Sequence, residues 1–110
     1  MTQMKIIWTQ YALNDLHDIR SYLKQSESSA FVKKVTQEIL AGVNSLKEWK
    51  TKGNFVPELE DLHLTTHRQL LAGQNRIIIE RTDDDTVYIH IIAHAIRDLE
   101  ALIRRRLLGF

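Results

Sequence analysis

The strongest constraint on this chain is a change of hydrophobic period between its two halves. Ala12, Leu13, Leu16, Ile19 and Leu23 recur at helical spacing, with Asn14, Asp15, Asp18 and Lys24 on other faces, so the spacing predicts a helix running to about Lys24. Thr9 stands before it as an N-cap, after the strand-forming run Lys5-Ile6-Ile7-Trp8. The stretch from Ser26 to Ser29 breaks the pattern and supplies new caps. Val32, Val35, Ile39, Val43 and Leu46 then form a second stripe, flanked by Phe31, Leu40 and Trp49. Two neighbouring amphipathic helices with a short link predict an antiparallel hairpin. Each carries one apolar stripe, so both need a third surface to cover it.

That surface is expected to be a sheet. After the loop from Thr51 to Thr65, which holds Gly53, the single proline Pro57 and the acidic residues Glu58, Glu60 and Asp61, the helical period is gone. Arg68 to Leu71 reads as a short strand turned back by Gly73-Gln74-Asn75. Arg76 to Arg81 and Thr86 to Ala93 are β-branched runs bracketing Asp83-Asp84-Asp85, which predicts a hairpin, and the second run is apolar enough for a central strand. Ile96, Leu99, Leu102, Ile103 and Leu107 space a C-terminal helix. The expected class is α+β with the order β-α-α-β-β-β-α.

With 110 residues the chain suits one domain, residues 1–110. It has no long uncharged apolar run and no cationic leader, so no membrane association and a cytoplasmic location are expected. Cysteine is absent, which excludes disulfides, thiolate nucleophiles and cysteine-type zinc sites. The net charge of +1 excludes a general attraction to nucleic acid, but Arg97, Arg104, Arg105 and Arg106 crowd the tail. An anionic partner would be met locally.

The element order, the opening ALNDLHDIRSYL, the stretch HRQLLAGQNRIIIE and the closing HAIRDLEAL resemble the RelE/ParE superfamily of bacterial toxins from type II toxin-antitoxin pairs. The likeness spans nearly the whole chain and favours the ParE-like branch. It implies a small twisted antiparallel sheet packed against the helical hairpin, a mobile or antitoxin-covered C-terminal helix, and a cognate antitoxin as partner, in a dimer or a hetero-oligomer. It also implies growth inhibition, as in plasmid stabilisation, and no cofactor. One branch of the superfamily is a ribosome-dependent mRNA endoribonuclease; the other inhibits DNA gyrase.

The residues speak to that division. Arg76 sits where the nuclease branch places an arginine on the scissile phosphate, and a guanidinium fork suits a phosphate; an arginine opening a strand against a carboxylate is the plainer alternative. Arg68 matches a basic nuclease position but also reads as a solvated edge charge. His94 ends the last strand, where some nucleases hold a proton-transfer group. The gyrase branch has a structural histidine there too, followed by a basic residue and Asp, and His94, Arg97 and Asp98 fit that pattern closely. The tail lacks the tyrosine of the ribosome-dependent prototype, and Phe110 transfers no proton. Arg97, Asp98, Arg104, Arg105 and Arg106 are therefore the expected target contacts, with Arg68, Arg76 and His94 as the catalytic set of the rival reading.

Two further expectations concern histidines and register. His63 and His67 with His94 would make a metal site only if the first two shared a helix, which this stretch does not predict, so no metal is expected. His90 reads as a buried, hydrogen-bonded histidine. If Arg81 pairs with Thr86, Arg76 lies opposite Ile91 and away from His94; if Thr82 pairs with Thr86, Arg76 lies opposite Ile92 on the face of His90 and His94. Only the second register assembles a nuclease site within the sheet.

Overall fold

In the computed structural model, which describes residues 4–48, 53–62, 66–82 and 85–109, the change of period becomes a change of element. β1 (Lys5–Trp8) ends at Thr9, whose hydroxyl donates to Ile89 O at 2.7 Å and accepts from Ala12 N–H at 3.2 Å. One side chain thus ties the strand end to the sheet and caps α1 (Gln10–Ser26). Ser28 caps α2 (Ser29–Asn44), accepting from Phe31 N–H at 3.2 Å.

The second half forms β2 (Asn54–Phe55), β3 (His67–Ala72), β4 (Asn75–Arg81) and β5 (Thr86–His94). The sheet order is β1-β5-β4-β3-β2. β3 to β5 are antiparallel as expected and β2 adds an antiparallel edge, whereas β1 lies parallel to β5 on the other edge, so the sheet is mixed. The two-residue strand β2 carries no periodic signal and was not predicted. Gly73, at φ +63°, makes the tight turn between β3 and β4, where a residue with a Cβ would be strained.

Each face of the sheet has its own core. On one side Ile39, Val43 and Leu46 of the hairpin and its extension pack against Leu70, Ile77, Ile79, Val87, Ile89 and Ile92. On the other, Val56 and Leu59, the latter in a 3-10 helix over Pro57–Leu62, join Leu99 and Ile103 against Ile78, Ile91 and Ala93. The C-terminal helix is shorter than its apolar spacing predicts: α3 spans Glu100–Ile103 and widens into a π-type turn over Arg104–Leu108. Ile96 precedes it and is 88% exposed rather than on its buried face. Leu13 of α1 is also exposed. Trp49, His63, Asp83, Asp84 and Phe110 lie outside the described residues.

α2 approaches the sheet closely at Gly42. A Cβ there would lie 3.0 Å from Ala72 Cβ and 3.2 Å from Ile77 Cδ1. Gly42→Leu should therefore destabilise the fold by about 1–3 kcal/mol through overpacking. Gly42→Ala should be close to neutral, since its gain of about 1 kcal/mol in helix propensity offsets the tight contact. Denaturant midpoints of the two variants check this.

Candidate functional site

The ladder between β4 and β5 decides which polar groups meet. At the loop end Thr82 N–H donates to Thr86 O at 2.9 Å, the register that would place Arg76 opposite Ile92. A bulge then shifts the ladder by one: Ile79 faces Ile89, but Ile78 faces Ile91, which leaves His90 as the extra residue. Arg76 ends up opposite Ala93, and His94 opposite Asn75. Because faces alternate along β4, Arg76 shares its side with Ile78 and Ala93, while Asn75 and His94 turn towards the helical hairpin. Arg76 and His94 therefore occupy opposite faces of the sheet.

Arg76 is buried and fully engaged. Its Nη1 and Nη2 each donate to a Glu58 carboxylate oxygen at 2.7 Å, and Nε and Nη2 donate to Gln69 Oε1 at 2.9 and 2.6 Å. The guanidinium holds the Glu58 carboxyl below the ordinary carboxylate value, against the opposing effect of burial. Glu58 was visible in the sequence only as one of an acidic cluster; nothing local marked it as the partner of a residue 18 positions on. Arg68 lies opposite Ile79, on the hairpin side, with its guanidinium carbon 4.3 Å from the centre of the Phe55 ring. The three residues of the rival catalytic set are thus not brought together.

His94 has local partners. Ile96 N–H donates to its Nδ1 at 3.3 Å, which places the ring proton on Nε2, itself 3.3 Å from Gln74 Oε1. This pattern organises the chain as it leaves β5. Asp98 Oδ1 accepts from Glu100 N–H at 3.2 Å at the start of α3. Arg104 pairs with Glu100 at 3.4 Å, one helical turn back, and Arg97 and Arg105 are exposed.

Arg106 behaves differently from its neighbours. It forms a two-pronged pair with Asp15 of α1 at 2.7 and 3.0 Å, donates to His90 O at 3.3 Å and lies over the Tyr11 ring. Asp15 also accepts from Ile92 N–H at 3.1 Å. The bulge and the end of β1 leave His90 O and Ile92 N–H without strand partners on that edge, and one Asp-Arg pair satisfies both. Asp15 looked like a solvent-facing helix residue in sequence, since its role depends on contacts 77 and 91 residues away.

Beside this latch opens a groove of about 700 Å3 between α1, α2 and the ends of β4 and β5. Ile19, Tyr22, Phe31, Val35, Ile92 and Ile96 supply its apolar lining, and Tyr22 is 71% exposed. Asp18, Glu38, Lys34 and Arg97 rim it. The apolar stripes of the two helices are therefore only partly covered by the sheet.

At the opposite end and on the other face, His67, Glu80 and His90 come from three adjacent strands. Glu80 Oε1 is 2.9 Å from His90 Nε2, and Glu80 Oε2 is 3.9 Å from His67 Nε2. Burial holds the His67 imidazole below the ordinary histidine value, helped by His90 and opposed by the Glu80 carboxylate. His67 and His94 stand at opposite ends of the hairpin, five ladder positions or roughly 16 Å apart along β4. No helix among the described residues is long and apolar enough to cross a membrane.

The family model for the ParE toxin of the type II toxin-antitoxin system parDE matches residues 6–104. Among solved structures, a chain of the chromosomal ParDE TA system from P. aeruginosa superposes with a TM-score of 0.66 at 19% identity, covering 83% of this chain and 95% of that one. The toxin-antitoxin complex RelBE2 from Mycobacterium tuberculosis gives a TM-score of 0.52 at 20% identity, covering 86% and 93%. At these identities the likeness is one of fold. No curated protein matches the chain.

Proposed function

Because the chain belongs to the ParE toxin family of type II toxin-antitoxin systems, we propose that it arrests growth by inhibiting DNA gyrase and that a cognate antitoxin neutralises it. The observation that carries the choice of target is the bulge at His90. It separates Arg76 from His94 across the sheet, and Glu58 and Gln69 occupy the guanidinium that a scissile phosphate would need. General acid-base cleavage of RNA requires those groups within hydrogen-bond reach of one another's substrate atoms. A protein-binding inhibitor requires only an exposed surface of suitable charge. Arg97, Arg104 and Arg105 provide it at the C-terminal rim, with Asp98 ordering the start of α3 beneath them.

The antitoxin's place in this reading is the groove between α1, α2 and the β5 edge. Its exposed aromatic and aliphatic residues suit the apolar face of an amphipathic segment. ParDE and RelBE2 are toxin-antitoxin assemblies of the same fold, which supports a partner of this kind.

Purified toxin added to gyrase and relaxed plasmid should stop supercoiling, and the antitoxin should restore it. Arg97→Ala combined with Arg105→Ala should weaken inhibition while the fold persists, because both side chains are exposed. Undisturbed supercoiling together with cleavage of translated mRNA would overturn the proposal in favour of the endoribonuclease. Induced expression without growth arrest would instead indicate a toxin that has lost its activity.

A further inference from the structure

We propose that His67, Glu80 and His90 form a binding site for one divalent cation of the zinc class, placed across β3, β4 and β5 on the sheet face opposite the helical hairpin. The ligand atoms of the three side chains all lie within 4.8 Å of one another. A tetrahedral zinc with bonds of about 2.0–2.1 Å holds neighbouring ligand atoms roughly 3.3 Å apart. The Glu80 to His90 separation of 2.9 Å is already below that spacing, the 3.9 Å from Glu80 to His67 closes with a shift of under about 1 Å, and the two imidazoles, within 4.8 Å of one another, close with one of up to about 1.5 Å. Two imidazoles and one carboxylate are the donor set of borderline cations such as zinc, not of magnesium or calcium, which take oxygen ligands.

The surroundings suit a site of this kind. Each ligand is on a different strand of a hydrogen-bonded ladder, so the backbone positions are fixed before any ion arrives. His67 is buried at 8% exposure, which favours the neutral, ligating imidazole, and its Nδ1 lies 3.4 Å from Thr66 Oγ1, a hydroxyl able to orient the ring with Nε2 towards Glu80. The Tyr88 ring stacks beside His90 with centroids 6.3 Å apart and limits its rotation. Glu80 remains 35% exposed at its side chain, which leaves an entry path and an open fourth position for water. A bridging proton between carboxylate and imidazole is the competing occupant, and it would give the same apo geometry with no metal affinity.

The test uses the full, untagged chain freed of its antitoxin and of metal. Cobalt titration should saturate at one ion per chain with the strong visible absorption of a low-coordinate site, zinc should displace the cobalt, and the unfolding midpoint should rise with zinc concentration. Glu80→Gln preserves a hydrogen-bond acceptor for His90, and with His67→Gln it should weaken binding at least about tenfold. His17→Gln, on the exposed side of α1, should leave binding unchanged. Absence of saturable binding, or binding that survives unaltered in both Glu80→Gln and His67→Gln, overturns the site.

Discussion

Arg76→Ala should cost the fold about 3–5 kcal/mol, because it strands the Glu58 carboxylate in a largely buried position. Domains of this size are stable by only about 5–15 kcal/mol, so the variant would sit near the limit of folding. Its thermal midpoint should fall by more than about 10 °C. The consequence for toxicity assays is direct: loss of poisoning in this variant reports the fold before it reports any contact with phosphate. Glu58→Gln separates the charge from the shape. The lowered carboxyl of Glu58 means that its contribution to stability is complete above the unfolded value near 4.5 and is lost as pH falls through the lower folded value. The Gln variant should be less stable at neutral pH and should show a shallower decline on acidification below about 4.5, measured by denaturant unfolding across that range.

Asp15→Ala should destabilise by about 2–4 kcal/mol, a figure set by the loss of three charge-assisted hydrogen bonds and by the partners left behind. Arg106 loses its counter-ion and Ile92 N–H its acceptor. Arg106→Ala should cost a similar amount, since it leaves the Asp15 carboxylate, only 13% exposed, with the Ile92 N–H as its remaining partner. The two variants combined should fall well short of the sum of their separate effects, because they break one network. Hydrogen exchange offers a sharper reading than a melting curve. In Asp15→Ala the amides of residues 90 to 94 should lose protection, while those of β3 keep it. Equal loss throughout the sheet would show that the pair acts on the whole fold and not on the strand edge.

Much of the architecture was legible because it rests on short-range patterns. Helical stripes ending in Leu23 and Leu46, the cap Thr9, the break from Ser26 to Ser29, and the two β-branched runs each declare themselves within a few residues. What escaped has a common cause. The bulge at His90 lies inside the strand-forming run from Thr86 to Ala93, where no glycine marks an extra residue, so neither of the two anticipated registers held along the full ladder. Glu58, Gln69 and Asp15 act through partners far away in sequence or on other elements, and composition cannot pair them. The helix expected from Ile96 onward begins at Glu100, because Asp98 draws the Glu100 N–H into a local turn and His94 holds the turn before it. Nothing local separates the arginines of the tail, yet Arg106 is committed inward while Arg105 is exposed, a distinction that only the position of α1 creates.

The extra residue in β5 has an evolutionary corollary. An insertion of one amino acid inverts the outward aspect of everything downstream of it, yet the strand still ends beside its neighbour and the hydrophobic layers stay filled. A three-nucleotide insertion or deletion in this strand would therefore move its last side chains to the other face of the sheet while leaving both cores filled.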